Sequence, residues 1–276
     1  MRSPNNHGHF PFTLGAMLGS AAGLTAAINL YDGAVNGRTI TYPEVPVLSP
    51  KITPTQDGTR FAFITDTHEL PTAKLNEIAA HLAKQSIDAL LLGGDYSEHM
   101  EHTEETVSIL SRIPTKYGVF GVDGNHDPKL SLYAIYKHYG VTLLNNKGLL
   151  LPNGIFLCGT EDLWSGFPDV GLATQNAPAN AFTLLITHNP DLSMLTPMDQ
   201  VDLCISGHTH GGQITLFGKW APTLPSVSYY EQRFLTGWCQ GKNGTPVYVS
   251  NGLGCSLPVP RIFAPPQVIL FSFHSK

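Results

Sequence analysis

Charge is scarce in this sequence. Only 13% of its 276 residues are Asp, Glu, Lys or Arg, the formal net charge is -5, and no basic run occurs. Phosphate backbones are held by clustered Lys and Arg, so nucleic acid is excluded as the main partner. Cysteine is scarce too: Cys158, Cys204, Cys239 and Cys255 show no C-x-x-C spacing and no dense disulfide framework. All four read as free thiols, Cys158 and Cys204 as small buried hydrophobes inside apolar runs, which favours a reducing compartment. Beyond residue 58 there is no internal repeat or low-complexity tract. What is present is 42% hydrophobic residues with 27 Gly and 21 Pro, the composition of a loop-rich globular chain with one large domain.

Between Arg2 and Asp32 there is no charged residue at all. Phe10 to Leu30 is about long enough to cross a bilayer as a helix, although Gly, Ala, Ser and Thr dilute it. Gly15, Gly19, Gly23 and Ala27 would make a smooth stripe along that helix, as in packed membrane helices. A signal peptide with a poor cleavage site at Thr25-Ala26-Ala27, or a soluble helix docked on the domain, are the other readings. Arg2 before the segment and Arg38 and Lys51 after it nearly balance, so its orientation stays open. Residues 1–31 are therefore taken as a hydrophobic N-terminal segment, anchor or signal-like. Residues 32–58, marked by Pro43, Pro46, Pro50 and Pro54, are an extended lead-in or edge strand, and 59–276 form the main domain.

Within that domain the pattern of strand, polar loop and helix occurs three times. Strands are expected at 60–65, 87–92 and 116–122, followed by helices through Leu75 to Ala83, over 103–113 and over 128–139. This is an α/β chain whose strand ends carry the chemistry. The second half is richer in strands: 141–145, 148–151 and 155–159, the last two joined at Pro152-Asn153-Gly154, then 182–187 and 201–206. Further strands are expected at 213–217, 233–238, 246–250 and 267–273, giving two packed sheets with helices outside.

The polar residues at those strand ends form a set: Asp66, His68, Asp95, Asn125, His126, His188, His208 and His210. Five of the twelve histidines belong to it, each just past an apolar run. Nitrogen and carboxylate donors with one amide oxygen suit Mn, Fe or Zn better than Ca. Seven ligands are too many for one such ion and suffice for two if one carboxylate bridges.

Asp66/His68, Gly94-Asp95, Gly124-Asn125-His126-Asp127, His188 and Gly207-His208-Thr209-His210 together resemble the ordered signature of the calcineurin-like metallophosphoesterases. Five blocks in the right order over about 145 residues make the match specific. Leu184 to Asp191, His208 to Gln213 and Tyr248 to Gly254 are similar to the membrane-associated bacterial branch of the YkuE type, which includes a hydrolase of UDP-2,3-diacylglucosamine in lipid A synthesis.

The resemblance implies a four-layer sandwich, two mixed β-sheets packed face to face and flanked by helices, with a dinuclear site at the strand ends. It implies two divalent ions, Mn first and Fe or Zn as alternatives: one on Asp66, His68 and His210, the other on Asn125, His188 and His208, with Asp95 bridging. His126 would stand near the phosphate with Asp127 orienting its ring, and a metal-bridging hydroxide would attack in line. Asp162 and Arg261 are candidate substrate contacts. The expected reaction is hydrolysis of a phosphodiester or pyrophosphate in a small phosphorylated or lipid-linked substrate, at a bacterial membrane, cytoplasmic face preferred. A broad phosphomonoesterase or a non-catalytic metal-binding scaffold is the alternative. Aromatic loops over 161–181 and 217–234 are expected to set substrate choice or to pack on the domain.

Overall fold

Apolar runs of four to six residues, too short for helices and flanked by Gly, Asp and Asn, become the inner strands of two sheets. A computed structural model describes residues 10–224, 226, 228–255 and 260–276, with side chains described from residue 23 onward apart from Asn36. Helix α1 (Phe10–Val35) leads into β1 (Glu44–Ser49), followed by β2 (Thr59–Ile64), α2 (Thr72–Leu82), β3 (Ala89–Leu92), α3 (Met100–Leu110), β4 (Gly118–Gly121), α4 (Lys129–Tyr139) and β5 (Thr142–Leu143). The second half contributes β6 (Lys147–Leu150), β7 (Phe156–Gly159), α5 (Val170–Thr174), β8 (Thr183–Ile186), α6 (Leu192–Leu195), β9 (Leu203–Ser206), β10 (Gly237–Gln240), β11 (Pro246–Val249) and β12 (Ile269–Ser275).

The strands assemble as β1-β12-β2-β3-β4-β5 and β10-β11-β9-β8-β7-β6. Both sheets are mixed: β2, β3, β4 and β5 run parallel, as do β7, β8, β9 and β11, while β12, β6 and β10 each pair antiparallel with a neighbour. Strand alternation then sorts the core. Phe61, Phe63, Leu184, Ile186, Leu203 and Ile205 fill the space between the sheets. Ala62 and Ile64 turn outward onto Ile78 and Leu82 of α2 and Val107 and Leu110 of α3, and Leu185 and Cys204 onto the other outer layer. This is the expected four-layer α/β sandwich. Gly140, with φ 71°, closes α4 in the left-handed conformation, and all four cysteines are free.

One open alternative is decided and two expectations change. The proline-marked lead-in supplies a true edge strand: β1 pairs parallel with β12, where Pro46 needs no partner on its open side. Residues 213–217 are not a strand, and of 233–238 only Gly237 and Trp238 are extended, as the start of β10. Gln213 and Phe217 have φ of 52° and 53°, which breaks the extended run, so Ile214 and Leu216 make only isolated bridges, and Glu231–Phe234 is a 3-10 turn. Among the described residues no helix is long and apolar enough to cross a membrane, so the span over 10–30 is not borne out; the side chains of 10–22 lie outside the described ones.

Candidate metal centre

Parallel strands leave both sheets in the same direction, and their C-terminal ends deliver the site. β2 runs into Asp66 and His68, β3 into Asp95, β4 into Asn125 and His126, β8 into His188, and β9 into His208 and His210. Asp66, His68, Asp95, His208 and His210 all have positive φ, from 41° to 70°. A non-glycine residue there costs about 1 kcal/mol or more, and such strain persists where its surroundings over-determine it. The sharp exit from each strand brings these side chains together.

They gather in two clusters, all buried. Asp66, His68 and His210 form the first, with His68 Nε2 3.1 Å from His210 Nε2 and His210 Nε2 3.5 Å from Asp66 Oδ1. Asp95, His188 and His208 form the second, with His188 Nε2 3.1 Å from Asp95 Oδ2 and 3.3 Å from His208 Nδ1. Asp95 Oδ2 also lies 4.0 Å from His68 Nε2, so it faces both clusters. Asn125 Oδ1 is buried with no hydrogen-bond partner. An orphaned amide oxygen, two carboxylates and four imidazoles, with ring nitrogens aimed at ring nitrogens, fit two divalent ions.

The surroundings prepare these donors. His188 Nδ1–H donates to Gly93 O at 2.8 Å, which leaves Nε2 for a metal. Asp66 accepts from His208 N at 3.0 Å and Thr65 Oγ1 at 2.8 Å. Burial pushes His210 down to about 3 and also lowers His68, so both rings stay unprotonated. Burial alone would lower His188, but the Asp95 carboxylate overcomes it and holds His188 well above the ordinary imidazole value. Burial likewise works against ionised Asp66 and Asp95, yet the neighbouring histidines hold both below the usual carboxylate range. Two glycines make room: a Cβ on Gly207 would collide with Asp66 Oδ2 and Thr65, and one on Gly124 with Asp95.

Residues 59–212 match the family described as Calcineurin-like phosphoesterase. The chain belongs to that family. It is a metal-binding phosphoesterase, a hydrolase of phosphoric ester bonds. It is similar to the uncharacterized metallophosphoesterase YkuE of Bacillus subtilis, 27% identical over 79% of this chain and 80% of that one. It is 29% identical to phosphodiesterase YaeI of Escherichia coli, over 76% of this chain and 80% of that protein. With the uncharacterized metallophosphoesterase Cj0846 of Campylobacter jejuni it shares 27% identity over 85% of this chain, and there it spans 64% of the relative's length.

Around the clusters three residues of the phosphoesterase, Asp127, Asp162 and Arg261, make contacts other than those expected, while His126 stands beside the Asp95 loop. His126 stands at the exposed rim, its backbone N–H donating to Asp95 Oδ1 at 2.9 Å, and its Nδ1 lies 2.9 Å from Glu98 Oε1. Asp127 does not orient that ring. Its carboxylate accepts from the backbone N–H groups of Asp95, Tyr96 and Gly124 at 2.8 to 2.9 Å and so ties the two ligand loops together. Burial and the Asp95 charge push Asp127 up to about 7. Asp162 is buried and caps its own loop, accepting from Trp164 N and Ser165 N at 2.8 Å. Arg261 is also buried, spending its guanidinium on the carbonyls of Gly254, His210 and Ala264. All three guanidinium nitrogens of Arg261 are thus engaged by carbonyls, whereas Asp162 Oδ1 is buried with no hydrogen-bond partner.

The residue that sequence reasoning passed over is Glu98. A carboxylate three positions after Asp95 in a polar loop carries no signal of its own; only the fold sets it against His126. The two aromatic loops do meet, Trp164 and Tyr229 lying with ring centroids 4.8 Å apart and both exposed.

Proposed function

We propose that this phosphoesterase cleaves a phosphodiester or pyrophosphate bond in a lipid- or nucleotide-linked substrate, of which UDP-2,3-diacylglucosamine is one example, with Mn the preferred metal. The observation that carries the reading is Asp95 Oδ2, 3.1 Å from the second cluster's His188 and 4.0 Å from the first cluster's His68, the position of a bridging carboxylate. In this reading Asp66, His68 and His210 hold one ion, Asn125, His188 and His208 the other. When bound, two divalent ions supply a nucleophile at neutral pH and outweigh the two carboxylates in favour of an anionic phosphate.

The chain's own residues do the rest. His126, exposed at the rim, stabilises the phosphate or hands a proton to the leaving oxygen, and Glu98 fixes its ring. Asp127 keeps the Asp95 and Asn125 loops at their separation. That a relative is named a phosphodiesterase supports a diester over a monoester. Exposed apolar side chains on α1, among them Leu24, Leu30 and Tyr31, support contact with a membrane surface.

Metal content of the purified protein, read with hydrolysis of bis-p-nitrophenyl phosphate and of the monoester with and without Mn, tests the proposal. About two metals per chain with diester turnover is expected. Less than one metal and no turnover under any supplement would favour a non-catalytic scaffold.

A further inference from the structure

Beside the first cluster lies a cleft of about 620 Å³ for which the metal centre has no use. Its inner wall continues directly from the ligands. Glu69, Leu70 and Pro71 follow His68 in the chain, and Gly254, opposite, packs against Thr67 O and His68 Cβ. Ile40, Leu70, Pro71 and Leu253 make most of the lining apolar, while Arg38 and Lys74 bring two cations to it. Lys74 pairs with Glu77 at 2.7 Å, and Arg38 is exposed with no ion pair among the described residues. Glu69, the one carboxylate of the lining, accepts from Ser97 Oγ at 2.7 Å.

A second observation concerns how the chain reaches this cleft. Arg38 and Ile40 follow directly on α1, whose end is fixed to the domain where Asp32 accepts from Phe263 N and Gly33 packs on Ile262. Just before that anchor, Leu24, Ile28, Leu30 and Tyr31 are exposed on a stretch without a single charge. The exposed apolar residues late in α1 therefore lead to an apolar cleft, and one wall of that cleft begins at the chain neighbour of His68. Resting on the phosphoesterase reading, we propose that this cleft is the subsite for the alkyl part of an anionic amphiphile whose phosphate sits on the metal centre. Arg38 and Lys74 favour an anionic over a neutral or cationic one.

The test compares octyl and methyl p-nitrophenyl phosphate as diester substrates of the metal-loaded full chain. The octyl ester is expected to show kcat/KM at least about tenfold higher, mainly through KM, since each buried methylene contributes. Leu70→Glu should bring that ratio towards one, whereas Arg38→Glu, at an exposed site that does not threaten folding, should lower kcat/KM of both anionic esters several-fold and keep the ratio. A wild-type ratio near one, or a ratio that Leu70→Glu preserves, overturns the subsite while leaving the phosphoesterase intact. Should neither ester be turned over, the phosphoesterase reading fails separately. Octyl phosphate binding by calorimetry then decides the subsite: saturable binding weakened about tenfold by Leu70→Glu upholds it, and equal or absent binding overturns it.

Discussion

Glu98 Oε1 lies 2.9 Å from His126 Nδ1, and the backbone N–H of the same histidine donates to Asp95 Oδ1, also at 2.9 Å. One residue is thus held by its ring and by its backbone from a single loop, the one that follows β3. The ring is aimed from the Asp95 loop, while Asp127 closes the gap between that loop and the turn at Gly124.

This pairing predicts a particular pattern of coupling. His126→Ala should lower kcat by about 10²- to 10⁴-fold with metal content near wild type. Glu98→Gln should cost about tenfold, and adding it to His126→Ala should cost nothing further, because both changes remove one unit. Independent, multiplying losses in a double-mutant cycle of kcat would show that Glu98 acts elsewhere.

Gly207→Ala tests the packing of the first cluster. The added methyl meets Asp66 Oδ2 and the Thr65 side chain, both buried, so the strand end or the carboxylate must move. Overpacking of this kind costs about 1–3 kcal/mol, and the displaced carboxylate should lower occupancy of one metal selectively. Thermal unfolding together with metal content reads both effects; unchanged occupancy would mean that Asp66 is not a ligand.

Metal uptake should release a proton. His188, raised by Asp95, is protonated in the metal-free protein at neutral pH, whereas His68 and His210, held down by burial, are not. A metal needs the His188 lone pair, so about one proton leaves from this residue as the site fills. Since the proton competes for the same nitrogen, affinity falls as pH drops below the raised His188 value, by about tenfold per unit. Calorimetry in buffers of different ionisation enthalpy measures the release, and pH-independent binding between pH 6 and 8 would refute it.

Replacing Arg261 distinguishes structure from substrate contact. Arg261→Met leaves the carbonyls of Gly254, His210 and Ala264 without their donor, and each buried acceptor left unpaired costs about 1–3 kcal/mol. A lowered Tm with weaker metal retention is expected, because the His210 carbonyl is one of the three, and Arg261→Lys should restore little of it. A raised KM at unchanged Tm would return Arg261 to the substrate.

The strand ends that carry Asp66, His68, Asp95, Asn125, His188, His208 and His210 were legible without coordinates. Local periodicity marks where a buried strand stops, and a polar residue just beyond such a stop has few places to go but the sheet edge. Which face of a strand turns to which layer follows from its alternation, as Phe61 and Phe63 against Ala62 and Ile64 illustrate. What local sequence cannot carry is the partner of a side chain whose donor or acceptor lies far along the chain. Asp127 finds three N–H groups on loops that meet only in the fold, Glu98 finds His126, and Arg261 finds His210 O across 51 positions. The failed strand at 213–217 has a related cause, because the positive φ of Gln213 and Phe217 ends an extended run that its composition favours. The sequence alone therefore determined, through short-range periodicity, the layers and the strand ends where the candidate ligands stand, and its resemblance to the family implied their roles. The tertiary structure decided which charged groups serve chemistry and which hold loops, because burial and long-range hydrogen bonding set those roles.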